Sequence, residues 1–244
     1  MPKDALPCLS DIAAFLERRL AVDSGDDIPV LWRAVEDNDV KTVRRIGLGL
    51  ERRSCEKAEA GKVSLDALFL HRPFLLPPHV LPHLPVLASH KGFDAHLAMG
   101  YNRALADALG LLEPLEPLER ADKGGAVVGM VGRLREPVSW YTLRAHVAAE
   151  FGGIELALPG PFAMITRLAV AGAMTPELVA LAAERGAEAY ITGQFREVAR
   201  KAAGQHGIAV LAVGHRRSER WGVARLAREL MQQFPGLEAV VLDS

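Results

Sequence analysis

Cysteine is nearly missing from this chain: Cys8 and Cys55 are the only two in 244 residues. So few thiols, so far apart, have neither metal-ligand spacing nor the density of a disulfide framework, and they read as incidental thiols of a reduced protein. An excess of one charge is missing as well. The 29 Lys and Arg residues offset 30 Asp and Glu residues, for a formal net charge of −1. That balance argues against a general nucleic-acid binder, and the local cluster Arg216, Arg217 and Arg220 reads as a solvated face. No apolar run reaches the roughly 20 residues that a bilayer-spanning helix requires, so no membrane partner is expected. The N-terminus places acids at Asp4 and Asp11, where a secretory signal would place cations and then an apolar core. The cytoplasm is the expected location. What remains is a half-apolar chain, at 50% hydrophobic residues, long enough for one large or two small domains.

One short pattern is present twice. His90 is followed four residues later by Asp94, and His215 four residues later by Glu219. Each copy closes a short apolar run, residues 85–88 in one and 210–213 in the other. The likeness extends upstream. With residues 46–50 laid on residues 168–172, residues 67–70 fall without gaps on 189–192, and all four runs read as strands. The helix-compatible segments 51–61 and 173–185 lie between them, the second opened by Thr175-Pro176. A small further shift overlays the two His-x3-acid copies and the helices 100–109 and 222–231 that follow. The order strand, helix, strand, His-x3-acid, helix is therefore read as an internal duplication. It predicts an α/β fold of two related α/β domains with mixed sheets, residues 1–120 and 121–244, the final segments able to pack back on the first.

Other elements follow from local signals. An amphipathic helix is expected over residues 11–20 with Ser10 as its N-cap, and a helix over 140–151 capped by Ser139. Strands are expected at 126–131, 154–158 and 237–242, and a helix at 194–204. Residues 112–125, with Pro114, Pro117, Gly124 and Gly125, read as the linker.

Ligands of α/β sheets gather beyond the carboxyl ends of strands. His71 stands at such an end in Leu70-His71-Arg72-Pro73, as do His90 and His215. The candidate constellation is His71, Asp94, His215 and Glu219, with His90 nearby. Imidazole and carboxylate together suit zinc, iron or manganese, and the lack of cysteine disfavours a purely structural zinc site. His96, two residues from Asp94, is the alternative ligand. His79 and His83 lie in a proline-rich stretch that reads as an extended surface loop, His146 inside a helix and His206 in a turn. The glycine-rich pieces match neither the dinucleotide fingerprint nor the P-loop. Ser218 lacks triad spacing and reads as a helix-start residue.

Four stretches carry a family resemblance: residues 68–75 with His71-Arg72-Pro73, residues 89–94, residues 189–194 ending Thr-Gly-Gln, and residues 214–219. In order and spacing they resemble the His-His-Pro, His-Thr-Asn-Leu-Asp, Thr-Gly-acid and Gly-His-x-x-Ser/Thr-Glu segments of the Nif-three-like dinuclear metal-centre family, many of whose members are called GTP cyclohydrolase 1 type 2 homologues. The resemblance covers nearly the whole chain. It implies two related α/β domains with a metal site in the cleft between them, assembled as a homohexamer. It also implies His71, Asp94, His215 and Glu219 as ligands. Two departures stand out: Arg72 replaces the family's second histidine, and Gln194 replaces the Thr-Gly acid. A guanidinium stays protonated and is no metal ligand, so the resemblance with Arg72 in place favours one bound divalent ion over two. The implied activity is a metal-dependent hydrolase of the GTP cyclohydrolase kind with a nucleotide substrate. Glu219 or His90 would move the proton, and Arg72 would hold a substrate phosphate. The alternative is a metal-binding oligomeric scaffold or regulatory protein without turnover.

Overall fold

The computed structural model describes residues 6–22, 28–35, 42–120 and 126–242. The chain enters through helix α1 (Leu9–Arg19) and strands β1 (Leu31–Arg33) and β2 (Arg45–Gly49). A 3-10 turn (Arg52–Cys55) runs into the short helix α2 (Glu56–Glu59). Strand β3 (Ala67–Leu70), a second 3-10 turn (Pro73–Leu75), strand β4 (Val86–Ala88) and helix α3 (Lys91–His96) follow. Next come α4 (Arg103–Ala108), β5 (Leu111–Arg120), β6 (Ala126–Ser139), α5 (Trp140–Phe151) and β7 (Leu156–Leu158). Strand β8 (Met164–Ala173), α6 (Pro176–Glu184), β9 (Ala189–Gln194), α7 (Glu197–His206) and β10 (Ala209–Ala212) continue the alternation. The chain closes with the long helix α8 (His215–Gln233) and strand β11 (Glu238–Val241). No helix among the described residues is long and apolar enough to cross a membrane.

The chain forms two compact units, residues 1–93 with 222–244 and residues 94–221. The expected division at 120/121 follows sequence order, whereas the units exchange chain inside α3 and inside α8. Strand β11 belongs to the first unit because it pairs in parallel with β2, Ala239 opposite Ile46.

In the first unit the sheet order is β1-β4-β3-β2-β11, parallel except for the antiparallel edge strand β1. Every residue of β3 and β4 is buried, which is why both read as unbroken apolar runs rather than alternating ones. Leu68, Leu70, Val80, Leu84, Val86 and Cys55 share one core. The proline-rich segment between β3 and β4 is anchored by Arg33. Its guanidinium donates to the carbonyls of Val80 (3.0 Å), Leu81 (2.7 Å) and Leu84 (3.0 and 3.2 Å). The N-cap of helix α1 lies two residues before the expected one. Cys8 is the N-cap, its backbone N–H donates to the Asp11 carboxylate at 2.9 Å, and Ser10 lies within the first turn. That acid one turn in decides the start, since a carboxylate at the third helical position reaches back to the cap N–H. At its other end Arg19 pairs with Glu229 of α8 at 2.8 Å.

In the second unit the sheet order is β5-β6-β8-β9-β10-β7, with β8, β9 and β10 parallel. Its strands separate their side chains two by two. Leu168, Val170, Ile191 and Leu211 enter one core with Leu143, Val147 and Phe151 of α5. Ala169, Ala171, Tyr190 and Val210 enter another with Leu178, Val179 and Ala182 of α6 and Ala199 of α7. Helix α5 matches expectation, Ser139 accepting from Thr142 N–H at 3.1 Å. The expected linker does not: residues 111–120 are the edge strand β5. Proline is tolerated at a sheet edge or a bulge, and Pro114 falls in a register shift between Leu112 and Glu116. Residues 121–125, with Gly124 and Gly125, lie outside the described residues.

The duplication is visible as topology. The order β1-β4-β3-β2 in one sheet is repeated by β7-β10-β9-β8 in the other. In each, three consecutive parallel strands are flanked, beyond the third, by the antiparallel strand that precedes them.

Candidate metal centre

His71 is the first residue past β3, and its backbone N–H still donates to Gly49 at 3.1 Å, so the parallel ladder fixes where its side chain departs. The residue is fully buried. His90 stands two residues past β4 and directly before α3. Ser89 between them performs two tasks. Its hydroxyl accepts from Phe93 N–H at 3.2 Å, which caps α3, and its carbonyl lies 3.1 Å from His71 Nδ1. A carbonyl can only accept, so Nδ1 carries the proton and Nε2 holds the lone pair that a metal needs. The His71 ring stacks on His90 (4.8 Å between centroids, 22° between planes) and lies 4.5 Å from the Phe93 ring. Gly92 is required here by close approach: a Cβ at that position would run into the Leu20 carbonyl.

Asp94 is the fourth residue of α3. One ligating atom each from His71, His90 and Asp94 lie within 4.8 Å of one another, and among the described residues this is the group of three with metal-binding geometry. Two imidazoles and one carboxylate, with the His71 tautomer already set, fit a divalent ion of the zinc, iron or manganese type. The structure thus brings His90, expected to move a proton, into the candidate ligating group with His71 and Asp94.

His215 and Glu219 pair with each other in the first turn of α8, Nε2 to Oε1 at 3.0 Å, with Glu219 buried and His215 exposed. Gly214, at φ +98°, allows the turn from β10 into this helix. Ser218 is buried in the first turn of α8 and donates to the His215 carbonyl at 2.8 Å. It packs against Gly193, whose missing side chain leaves the space for its hydroxyl. Gln194 ends β9 with its side chain exposed.

Arg72 forms an ion pair with Glu51 across 3.7 Å. Glu51, at the exit of β2, was not among the candidate residues, and neither was Ser89. Nothing in their spacing marks them, because both act through the neighbourhood of parallel strand ends. His96, the alternative ligand, ends α3 outside the group of His71, His90 and Asp94, and four other histidines were expected to lie away from the site. His79 and His83 are exposed, His146 Nε2 lies 2.8 Å from the Ala108 carbonyl, and His206 ends α7.

Two α/β units of matching strand order, with histidines and an aspartate gathered past the ends of parallel strands, place the chain in a class of duplicated α/β proteins that carry a possible metal-binding group. The particular family follows from comparison: residues 79–244 match the model of the Duf34/NIF3 (NGG1p interacting factor 3) family, and the chain belongs to it. The match includes His90, Asp94, His215 and Glu219. The chain is similar to a GTP cyclohydrolase 1 type 2 homolog of Archaeoglobus fulgidus, 26% identical over 250 residues that cover 96% of this chain and 97% of that protein. A GTP cyclohydrolase 1 type 2 homolog of Allochromatium vinosum is 29% identical over 149 residues, or 61% of this chain, which spans 57% of that relative's length. Among solved structures, reduced HcgD from Methanocaldococcus jannaschii shares the fold, with a TM-score of 0.70 at 22% identity over 98% of both chains.

Proposed function

We propose that the protein is a metal-dependent hydrolase of the GTP cyclohydrolase 1 type 2 kind that works with one divalent ion and a nucleotide substrate. The observation that carries this reading is the convergence of His71, His90 and Asp94 within 4.8 Å, with the Ser89 carbonyl setting the His71 tautomer. His71, His90 and Asp94 would hold the divalent ion, the imidazoles through ring nitrogens and Asp94 through a carboxylate oxygen, and the ion would supply Lewis-acid activation of water near neutral pH. Glu219, a buried carboxylate bonded to His215, is the group we assign to accept and return the proton. Arg72 is assigned to the substrate phosphate. Its 3.7 Å pair with Glu51 is long for an ion pair and can give way to a bidentate phosphate contact. A homohexamer belongs to the same proposal and rests on the family resemblance.

The test is metal content per protomer, followed by GTP turnover with added Zn, Fe or Mn, in the parent protein, His71→Ala and Arg72→His. One ion per parent protomer, with turnover that disappears in His71→Ala, is expected. Two tightly held ions in the parent sink the single-ion reading. The positions of Arg72 and Gln194 favour a second reading, a metal-binding scaffold without turnover, and a metal-loaded parent that leaves GTP intact decides for it.

A further inference from the structure

Two large aromatic side chains stand exposed beside the candidate metal centre. Trp32 lies on the edge strand β1 and is 37% exposed; Phe74 lies on the 3-10 turn after His71 and is 49% exposed. They meet edge to face at 5.7 Å and 88°. Phe74 in turn meets His90 edge to face at 5.5 Å and 79°, and His90 stacks on His71. Four rings therefore form an unbroken series, Trp32, Phe74, His90 and His71, from solvent to a fully buried ligand candidate.

We propose that Trp32 and Phe74 form a stacking subsite for a planar heteroaromatic ring such as a nucleobase. The perpendicular arrangement leaves a corner in which a flat ring can lie on one face and meet the other ring's edge, the two geometries that aromatic quadrupoles favour. An aliphatic ligand would gain from neither. The occupant is argued from continuity, because the corner opens one ring away from His90. It is argued also from charge, because Arg72, two residues before Phe74, is the cation assigned above to a substrate phosphate. The subsite deepens the proposed function and rests on it for the chemistry at the ring, but not for the stacking itself.

The stacking needs no metal, so the test uses chelator-treated full-length protein and guanosine 5′-monophosphate, with ribose 5-phosphate as the ringless control. Trp32→Ala and Phe74→Ala are each expected to weaken guanosine monophosphate binding roughly tenfold, or about 1.4 kcal/mol. Phe74→Tyr should keep near-parental affinity, and ribose 5-phosphate should bind all variants alike. Parental guanosine monophosphate affinity in both alanine variants overturns the proposal. So does an equal loss for ribose 5-phosphate, an absence of binding to the parent, or a change in oligomeric state with ligand affinity intact, which would make the corner a contact between copies. Ring-dependent binding without GTP turnover in metal-loaded parent protein overturns the hydrolase reading alone and leaves the subsite standing.

Discussion

Replacing Arg33 with methionine should loosen the strap that connects His71 to His90. The guanidinium makes four hydrogen bonds to three carbonyls of that strap, those of Val80, Leu81 and Leu84. Burial pushes the Arg33 pKa below its ordinary value, against a smaller opposing pull from Cys55, yet the group remains charged at neutral pH. A hydrogen bond to a charged group contributes roughly 1.5–3 kcal/mol net. The four are not additive, because they share one side chain that is partly open to water, which can solvate the carbonyls left behind. The expected loss is therefore about 3 kcal/mol, a large share of the roughly 5–15 kcal/mol that holds a typical domain. Methionine retains the apolar stem, so packing is not confounded with charge. Urea unfolding reads the stability, and a cobalt(II) titration followed by visible absorption reads the His71–His90–Asp94 geometry in folded protein. Both should weaken in Arg33→Met. Arg33→Lys should recover only part, since one ammonium cannot span three carbonyls. A stability change below about 0.5 kcal/mol with parental cobalt affinity would refute the reasoning, being no more than an ordinary surface substitution.

Glu229 offers a pH test. Burial raises its pKa, but hydrogen bonds from Arg19 and Arg225 outweigh that and leave the carboxyl below its ordinary 4.5. A lowered folded value means stability that is present above the unfolded pKa and lost as pH falls through the folded one. Glu229→Gln should therefore cost about 1–2 kcal/mol at pH 7 by urea unfolding, and the gap to the parent should close in acid. Gly129→Ala forces a methyl into the Val170 carbonyl on the neighbouring strand and should lower stability by about 1–3 kcal/mol, measured by thermal unfolding. Ser139→Ala removes the cap of α5 and should cost about 1 kcal/mol in the same assay.

Local signals were the ones most readable in the sequence. Strand β3 spans residues 67–70 and helix α5 residues 140–151, both as expected, because a wholly apolar run and a capping serine act within a few residues. The duplication was readable too, since two copies of one order of elements reinforce each other. Strand β5 was hidden because its prolines signal a loop until the sheet that gives them an edge is known. Ser10 was preferred as a cap by residue type, whereas the carboxylate of Asp11 sets the start two residues earlier. At the site, the overlay of copies put His90 on a par with His215, and the family resemblance then left it outside the ligands as a proton mover. Its place beside His71 comes from the adjacency of β3 and β4 and from a Ser89 carbonyl that no pattern of side chains encodes.

Strand β5 has a consequence for solubility. An edge strand offers a row of backbone donors and acceptors to any other extended chain, and edge-to-edge pairing of this kind is a route to aggregation. Pro114 and Pro117 carry no N–H to donate, the register shift around Pro114 breaks the regularity of the row, and Glu113 and Glu116, ion-paired with Arg103 and Arg167, crowd it with charged side chains. The residues that disguise β5 as a linker are thus the ones that keep the six-stranded sheet from recruiting a seventh strand from another molecule.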